Sequence, residues 1–224
     1  MDPSGAQAVV ASSVEWVRPR WRGRLHLAAF AVSLPAGVAL CAVAGSSSAL
    51  TSVAVYALTV CGVFGVSAAF HLVPWSPAGR RRMDRLDRAM IYLQIAGTYT
   101  PVSLLALGRG LAIGVLAVVW AGAAAGAALV LWRGNIRVVG LAIYMLLGWP
   151  SVVVLPFAAT RVHLLGVALL LVGGVIYTAG AIMLVRRWPD LNPTIFGYHE
   201  VWHVLTLIAG TCHWTAIGLL VRST

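Results

Sequence analysis

Lysine is absent from this 224-residue chain, and acidic residues nearly are: six Asp and Glu stand against sixteen Arg. Charged residues make up 10% of the sequence, where a soluble domain carries about 25%. Cysteine is equally sparse. Cys41, Cys61 and Cys212 lie inside apolar blocks without a CxxC spacing, so a disulfide framework or thiol catalysis has no support and each reads as a small apolar side chain. The net charge of +10 does not make a nucleic-acid binder, because the arginines cluster between hydrophobic blocks and no soluble basic domain exists. Arginines flanking apolar spans act instead as topology determinants and contacts for anionic lipids.

What the chain has in excess is apolar length. Hydrophobic residues form 60% of it, in blocks at about 25–44, 50–73, 86–107, 111–132, 137–157, 163–185 and 197–221, each near the ~20 residues needed to cross a bilayer as a helix. Barrel strands would alternate, and these blocks do not. The sequence therefore predicts an all-α integral membrane protein, a seven-helix bundle over 24–224, behind a polar, disordered tail over 1–23 with an interfacial segment around Trp16 and Trp21. Arg18, Arg20, Arg22 and Arg24 ahead of an apolar stretch mimic a signal peptide. Leu25–Ala44 is span-length, and bulky Leu40 before Cys41 argues against a lipoprotein site, so a retained first helix is expected. Pro35, Pro101, Pro150 and Pro156 fall inside spans and read as kinks whose freed carbonyls neighbours can satisfy. Small-residue runs such as Gly122–Ala128 and Gly173-Gly174 suit close packing within one bundle or between protomers, so they are compatible with a homo-oligomer.

Arginine counts set the orientation. With the N-terminus inside, inner segments hold Arg18, Arg20, Arg22, Arg24, Arg80, Arg81, Arg82, Arg85, Arg88, Arg133, Arg137, Arg186 and Arg187, thirteen of the sixteen. Arg109, Arg161 and Arg222 are left outside. This is a strong positive-inside asymmetry, placing the N-terminus in the cytoplasm and the C-terminus outside. Trp21, Trp75, Trp132 and Trp188 fall near the inner ends of spans, as an aromatic belt would.

Ionisable groups inside spans are costly and are functional candidates by default. Ser67 and His71 lie four residues apart on one face at the inner end of the second span, Asp87 at the inner start of the third, and His199 and His203, again four apart, at the inner start of the seventh. A topology derived from arginines alone thus brings all five to one membrane depth. Three imidazoles with a carboxylate or its water match a tetrahedral zinc site. Asp84 reads as a partner for neighbouring arginines and Asp190 as a loop residue. His26 has the right depth for a supporting role. His213, about 15 Å beyond His203 along a helix, is too far, and His163 lies on the outer side.

His199-Glu200-Val201-Trp202-His203 also spells H-E-x-x-H, in which the glutamate would be the general base of a zinc metalloprotease. No acid follows Glu200 to supply a third ligand of the gluzincin kind, and Ala209 stands where a metzincin would have histidine. An intramembrane protease would have to draw on Asp87.

Ser67-Ala68-Ala69-Phe70-His71, Arg85-Leu86-Asp87, Ala96-Gly97-Thr98-Tyr99-Thr100-Pro101 and Gly197-Tyr198-His199-Glu200-Val201-Trp202-His203 together resemble the hemolysin III family, which belongs with the progestin and adipoQ receptors. The likeness covers roughly 25–222. It implies seven helices, zinc bound by His71, His199 and His203, Asp87 holding or orienting a water, and Ser67 associated with that site. Relatives are linked to hydrolysis of ceramide-like lipid amides, and the family name reflects a cytolytic or pore-forming activity. Many members open the first helix with Glu and Asn ahead of Thr-His; here the stretch is Arg20-Trp21-Arg22-Gly23-Arg24-Leu25-His26. The expectation is a multi-pass protein of a bacterial plasma membrane that hydrolyses a lipid amide or ester at the cytoplasmic interface with zinc. A non-catalytic receptor or pore with structural zinc is the first competing class, and an intramembrane metalloprotease the second.

Overall fold

The computed structural model describes residues 19–134, 137–159 and 161–223; Trp16, Arg18 and the rest of the expected tail before Pro19 lie outside the described residues. Among the described residues there are eight helices and no strand: α1 Arg24–Ala42, α2 Ser47–Leu72, α3 Pro77–Ala106, α4 Arg109–Arg133, α5 Arg137–Gly148, α6 Ser151–Ala158, α7 Leu164–Arg186 and α8 Tyr198–Arg222. Seven segments are long and apolar enough to span a membrane, with α5 and α6 together making the fifth. Large side chains such as Val38, Leu58, Val118 and Leu146 remain exposed on the outer surface, which suits a protein whose solvent there is lipid.

Local chemistry explains the boundaries. The Ser46 hydroxyl accepts from Ala49 N at 3.1 Å and opens α2. Ser76 does the same for Gly79 N at 3.2 Å, with Pro77 in the first turn, a pairing that starts helices because proline lacks the N–H that would be orphaned there. For this reason α3 begins at Pro77, nine residues before the apolar block that marks its span. Hydropathy locates the bilayer, whereas the cap locates the helix. At the end of α4, Arg85 Nη1 donates to Leu131 O at 2.9 Å, satisfying a terminal carbonyl with a cation.

The helices form an open arc in which α2 packs on α1, α1 on α8, α8 on α7, α7 on α5 and α5 on α4, while α3 contacts both ends of the arc, α2 and α4, and also α5, α6 and α8. Of the seven spans, α3 has the largest buried share. Its close approaches need small residues: a Cβ on Gly97 would lie 2.1 Å from Thr59 Oγ1 of α2, and one on Gly126 of α4 would lie 2.9 Å from the Tyr92 ring. Two apolar clusters fill the interior. One joins Leu40, Val53, Tyr56, Leu105, Ile217 and Leu220, and the other Tyr92, Ala96, Val119, Ala123, Val130 and Leu147.

Of the four prolines expected as kinks, Pro35, Pro101 and Pro156 sit within helices, whereas Pro150 separates α5 from α6. The break frees carbonyls in a setting where water cannot repair them. Tyr99 Oη on α3 lies 3.0 Å from both Leu147 O and Gly148 O, and Ser151 Oγ donates to Gly148 O at 2.7 Å. The carbonyls at the break are thus met by side-chain hydroxyls of the protein, as irregular backbone at membrane depth requires.

Candidate metal centre

The inner end of α2, the first turns of α8 and the early part of α3 converge at the arginine-rich end of the bundle. His71 on α2 is buried at 3% exposure and His203 on α8 at 2%; His199 is half-buried. Their ligand nitrogens all lie within 4.8 Å of one another, and together they could hold a metal ion. His71 Nε2 and His199 Nε2 are 3.1 Å apart, close to the ~3.3 Å that two nitrogens take up when each is about 2.0–2.1 Å from a tetrahedral zinc. His203 Nδ1 is buried with no hydrogen-bond partner, an orphaned polar atom of the kind that needs a physical reason. Three imidazoles form a donor set suited to zinc and to other first-row metals.

Ser67 lies one turn before His71 on the same face and is buried. Its hydroxyl lies near the Asp87 carboxyl on α3. Ser67, Asp87, His199 and His203 line one cavity of about 380 Å3. The cavity continues past Phe64, Gln94 and Trp149 to His213, between α3, the α5–α6 break, α7 and α8. It is polar at the histidine end and largely apolar beyond.

His26 of α1 stacks on His203, with ring centroids 3.7 Å apart and planes 12° from parallel. Thr206 Oγ1 donates to His203 O at 2.7 Å, so it can only accept from His26 Nε2 at 3.2 Å, which assigns the His26 proton to Nε2. The supporting depth expected for His26 becomes direct contact with one of the three histidines. His213 is held elsewhere, with Nε2 3.1 Å from Leu170 O, and His163 caps the start of α7 through Leu165 N.

Glu200 does not face the cavity. It is fully buried, forms an ion pair with Arg22, and accepts from Gly197 N at 2.9 Å. Asp190 Oδ1 accepts from Tyr198 N at 3.0 Å, so two carboxylates each take one backbone donor at the α8 N-terminus and complement its dipole. The segment before α1 is tied to the same place. Arg20 N donates to Thr194 O at 3.1 Å and Trp21 N to Ile195 O at 3.3 Å. Gly23 follows with φ +81°, and a Cβ there would stand 2.6 Å from His71 Cβ. Glycine at 23 therefore serves both a left-handed turn and a close backbone approach to the His71 side chain. Asp84 pairs with Arg88, as its surroundings led one to expect. The Arg22–Glu200 pair and the role of Gly23 had no local signal in the sequence.

Comparison with known proteins agrees with this architecture. The family model described as Haemolysin-III related matches residues 14–214. Hemolysin-3 of Bacillus cereus is 31% identical over 165 residues, covering 73% of this chain and 72% of that protein. Monocyte to macrophage differentiation factor of Homo sapiens is 31% identical over 170 residues, covering 73% and 67%. A Hemolysin-3 homolog of Bacillus subtilis (strain 168) is 25% identical over 180 residues, covering 79% and 81%. With seven spans, a histidine triad at one end and a family match over nearly its whole length, the chain is a multi-pass cell-membrane protein that belongs to the Haemolysin-III related family.

Proposed function

We propose that this protein is a zinc-dependent hydrolase of a lipid amide or ester, ceramidase-like in the bond it cleaves, working at the cytoplasmic face of the membrane. The observation that carries the reading is the union of three imidazole donors with an acid–hydroxyl pair at the mouth of a cavity with an apolar interior. His71, His199 and His203 would hold the ion. A set of three protein donors suits a catalytic site, whereas structural zinc takes four. Zinc held there supplies a Lewis acid that polarises a carbonyl and acidifies water.

The chain's own groups then have separable tasks. The cavity accepts the acyl chain along α3 and orients the scissile carbonyl toward the histidines. Asp87 accepts a proton from the attacking water, and Ser67 holds the carboxyl in position. The C–N or C–O bond of the lipid breaks as the new C–O bond forms, and the proton taken by Asp87 passes to the departing amine or alcohol. The metalloprotease reading lacks this support, since the carboxylate of Glu200, its would-be base, is engaged by Arg22 and Gly197 N.

Zinc-loaded protein in mixed micelles is expected to release fatty acid from a lipid amide, with Asp87→Asn keeping its zinc and losing activity by about 100-fold or more. Release that persists at the wild-type rate in Asp87→Asn, or in metal-free protein, would overturn the reading.

A further inference from the structure

Glycine in a helix costs about 1 kcal/mol against alanine, so each one in a span calls for a reason. Close packing supplies it at Gly97, Gly126, Gly173 and Gly180, where an added Cβ would lie 2.1–2.9 Å from a neighbouring side chain. Among the described residues, a Cβ would meet nothing within 4 Å at seven glycines, and of these Gly148 on α5 and Gly174 on α7 alone line the cavity. Neither has the left-handed backbone that would itself call for glycine. What the two have in common is open space where a side chain would stand.

That space is the cavity itself. Successive residues of a helix are turned by about 100°. The cavity-lining residues of α7 cover the arc from Leu184 to Val175, and Gly174 stands close to its centre. Those of α5 cover the arc from Gly140 to Met145, and Gly148 is again close to the centre. Counted from the inner helix ends at Arg186 and Arg137, Gly174 lies about 18 Å and Gly148 about 16 Å into the bilayer. The two glycines therefore widen the cavity at similar depth, near mid-membrane, from two different walls.

We propose that Gly148 and Gly174 determine acyl-chain specificity: the space left by their missing side chains lets the chain pass mid-membrane, so that the substrates are lipids with an acyl group longer than about 13 carbons. The length follows from α8. An added Cβ on Gly173 would lie 2.5 Å from His213 Cδ2 and 3.1 Å from Ala209 O, which puts Gly174 level with Gly210. That level is seven residues past His203 and eleven past His199, or about 10–16 Å along the helix. Carbon–carbon bonds of about 1.5 Å at about 111° advance a chain by ~1.25 Å per carbon, so a chain whose carbonyl sits at the histidines reaches the glycines after about 8–13 carbons. Beyond them the cavity continues to His213 and Leu170, room that only a longer chain uses. The inference rests on the cavity being the acyl-chain site of the proposed hydrolase.

Binding of free fatty acids, the products of that reaction, tests it without turnover. Radiolabelled octanoate and palmitate are titrated into the zinc-loaded protein held in amphipol, so that no micelle competes for the chain. The wild type is expected to bind palmitate about 100-fold tighter than octanoate or more, because each further buried methylene adds to affinity. Gly174→Leu fills the passage. It should weaken palmitate by about tenfold or more while leaving octanoate within about threefold, since the shorter chain ends before the obstruction. Should Gly174→Leu not keep its zinc, Gly148→Leu fills the same space from the opposite wall, with the same expected result. Equal affinity of the wild type for the two acids overturns the proposal, whether or not either variant folds. So does a zinc-loaded variant that keeps the palmitate preference in full, or one that loses octanoate as much as palmitate. Protein that behaves as expected toward both acids but hydrolyses no lipid would sustain this inference and refute the hydrolase. Protein that binds neither acid would refute the lipid-cavity reading and this inference with it.

Discussion

At the scale of single residues, the histidine end of the bundle is held by contacts whose partners are far apart in sequence. Arg22 and Glu200 are 178 positions apart and meet as an ion pair, with Glu200 fully buried and the Arg22 side chain 22% exposed. Removing one partner of a buried pair strands a charge. Arg22→Gln is therefore expected to destabilise the protein by about 2 kcal/mol, below the range for wholly buried pairs because Arg22 is partly solvated. Adding Glu200→Gln should recover most of that loss. A double-mutant cycle on unfolding in detergent measures it, and additive losses would contradict the coupling. The two kinds of site residue differed in how legible they were. His71, His199 and His203 could be placed from four-residue spacing and arginine counts, because helix pitch and the positive-inside rule fix depth without any knowledge of packing. Arg22 could not, since nothing local links it to α8. Glu200 was misleading, because the H-E-x-x-H spacing is equally the pattern of a buried N-terminal glutamate that satisfies its own helix start.

At the scale of elements, apolar length alone located the seven spans, and the departures follow from what apolar length does not measure. The early start of α3 at Pro77 comes from the Ser76 cap, and the division of the fifth span comes from Pro150. Tyr99 makes that division tolerable by reaching both Leu147 O and Gly148 O at 3.0 Å. Tyr99→Phe keeps the ring and removes the donor, and is expected to cost about 1 kcal/mol through the hydrogen bond lost at Leu147 O, since Gly148 O keeps its bond from Ser151 Oγ. Thermal unfolding in detergent checks this, with Leu58→Ala, on a 72% exposed lipid-facing position, as a control expected to change stability little. A loss at Tyr99 no larger than at Leu58 would show that the break is satisfied by other means. The A-G-T-Y-T-P stretch thus has a physical explanation. Gly97 admits Thr59, Thr98 orients Gln94, Tyr99 covers the break, and Thr100 Oγ1 accepts from Trp120 Nε1 at 3.2 Å.

At the scale of the whole molecule, the seven-helix class was legible because the bilayer imposes one length on every span. The order of the helices around α3 and the central place of α3 were not, since they depend on which small residues meet across helices. Nor was the cavity, which exists only between packed helices. Orientation is a property of the entire chain, set by thirteen arginines at one end against three at the other. A reporter enzyme active only outside the cell is expected to be active when fused after Thr224 and inactive when fused within the Arg80–Arg82 cluster; the reverse pattern would put the histidines on the outer face. The most direct test of the central claim is the metal content of detergent-purified protein, wild type beside His199→Ala/His203→Ala. About one zinc per chain in the wild type, lost in the variant while the fold is retained, is the predicted result. A wild type without metal, or a variant that keeps its zinc in full, would contradict the assignment of these histidines as ligands.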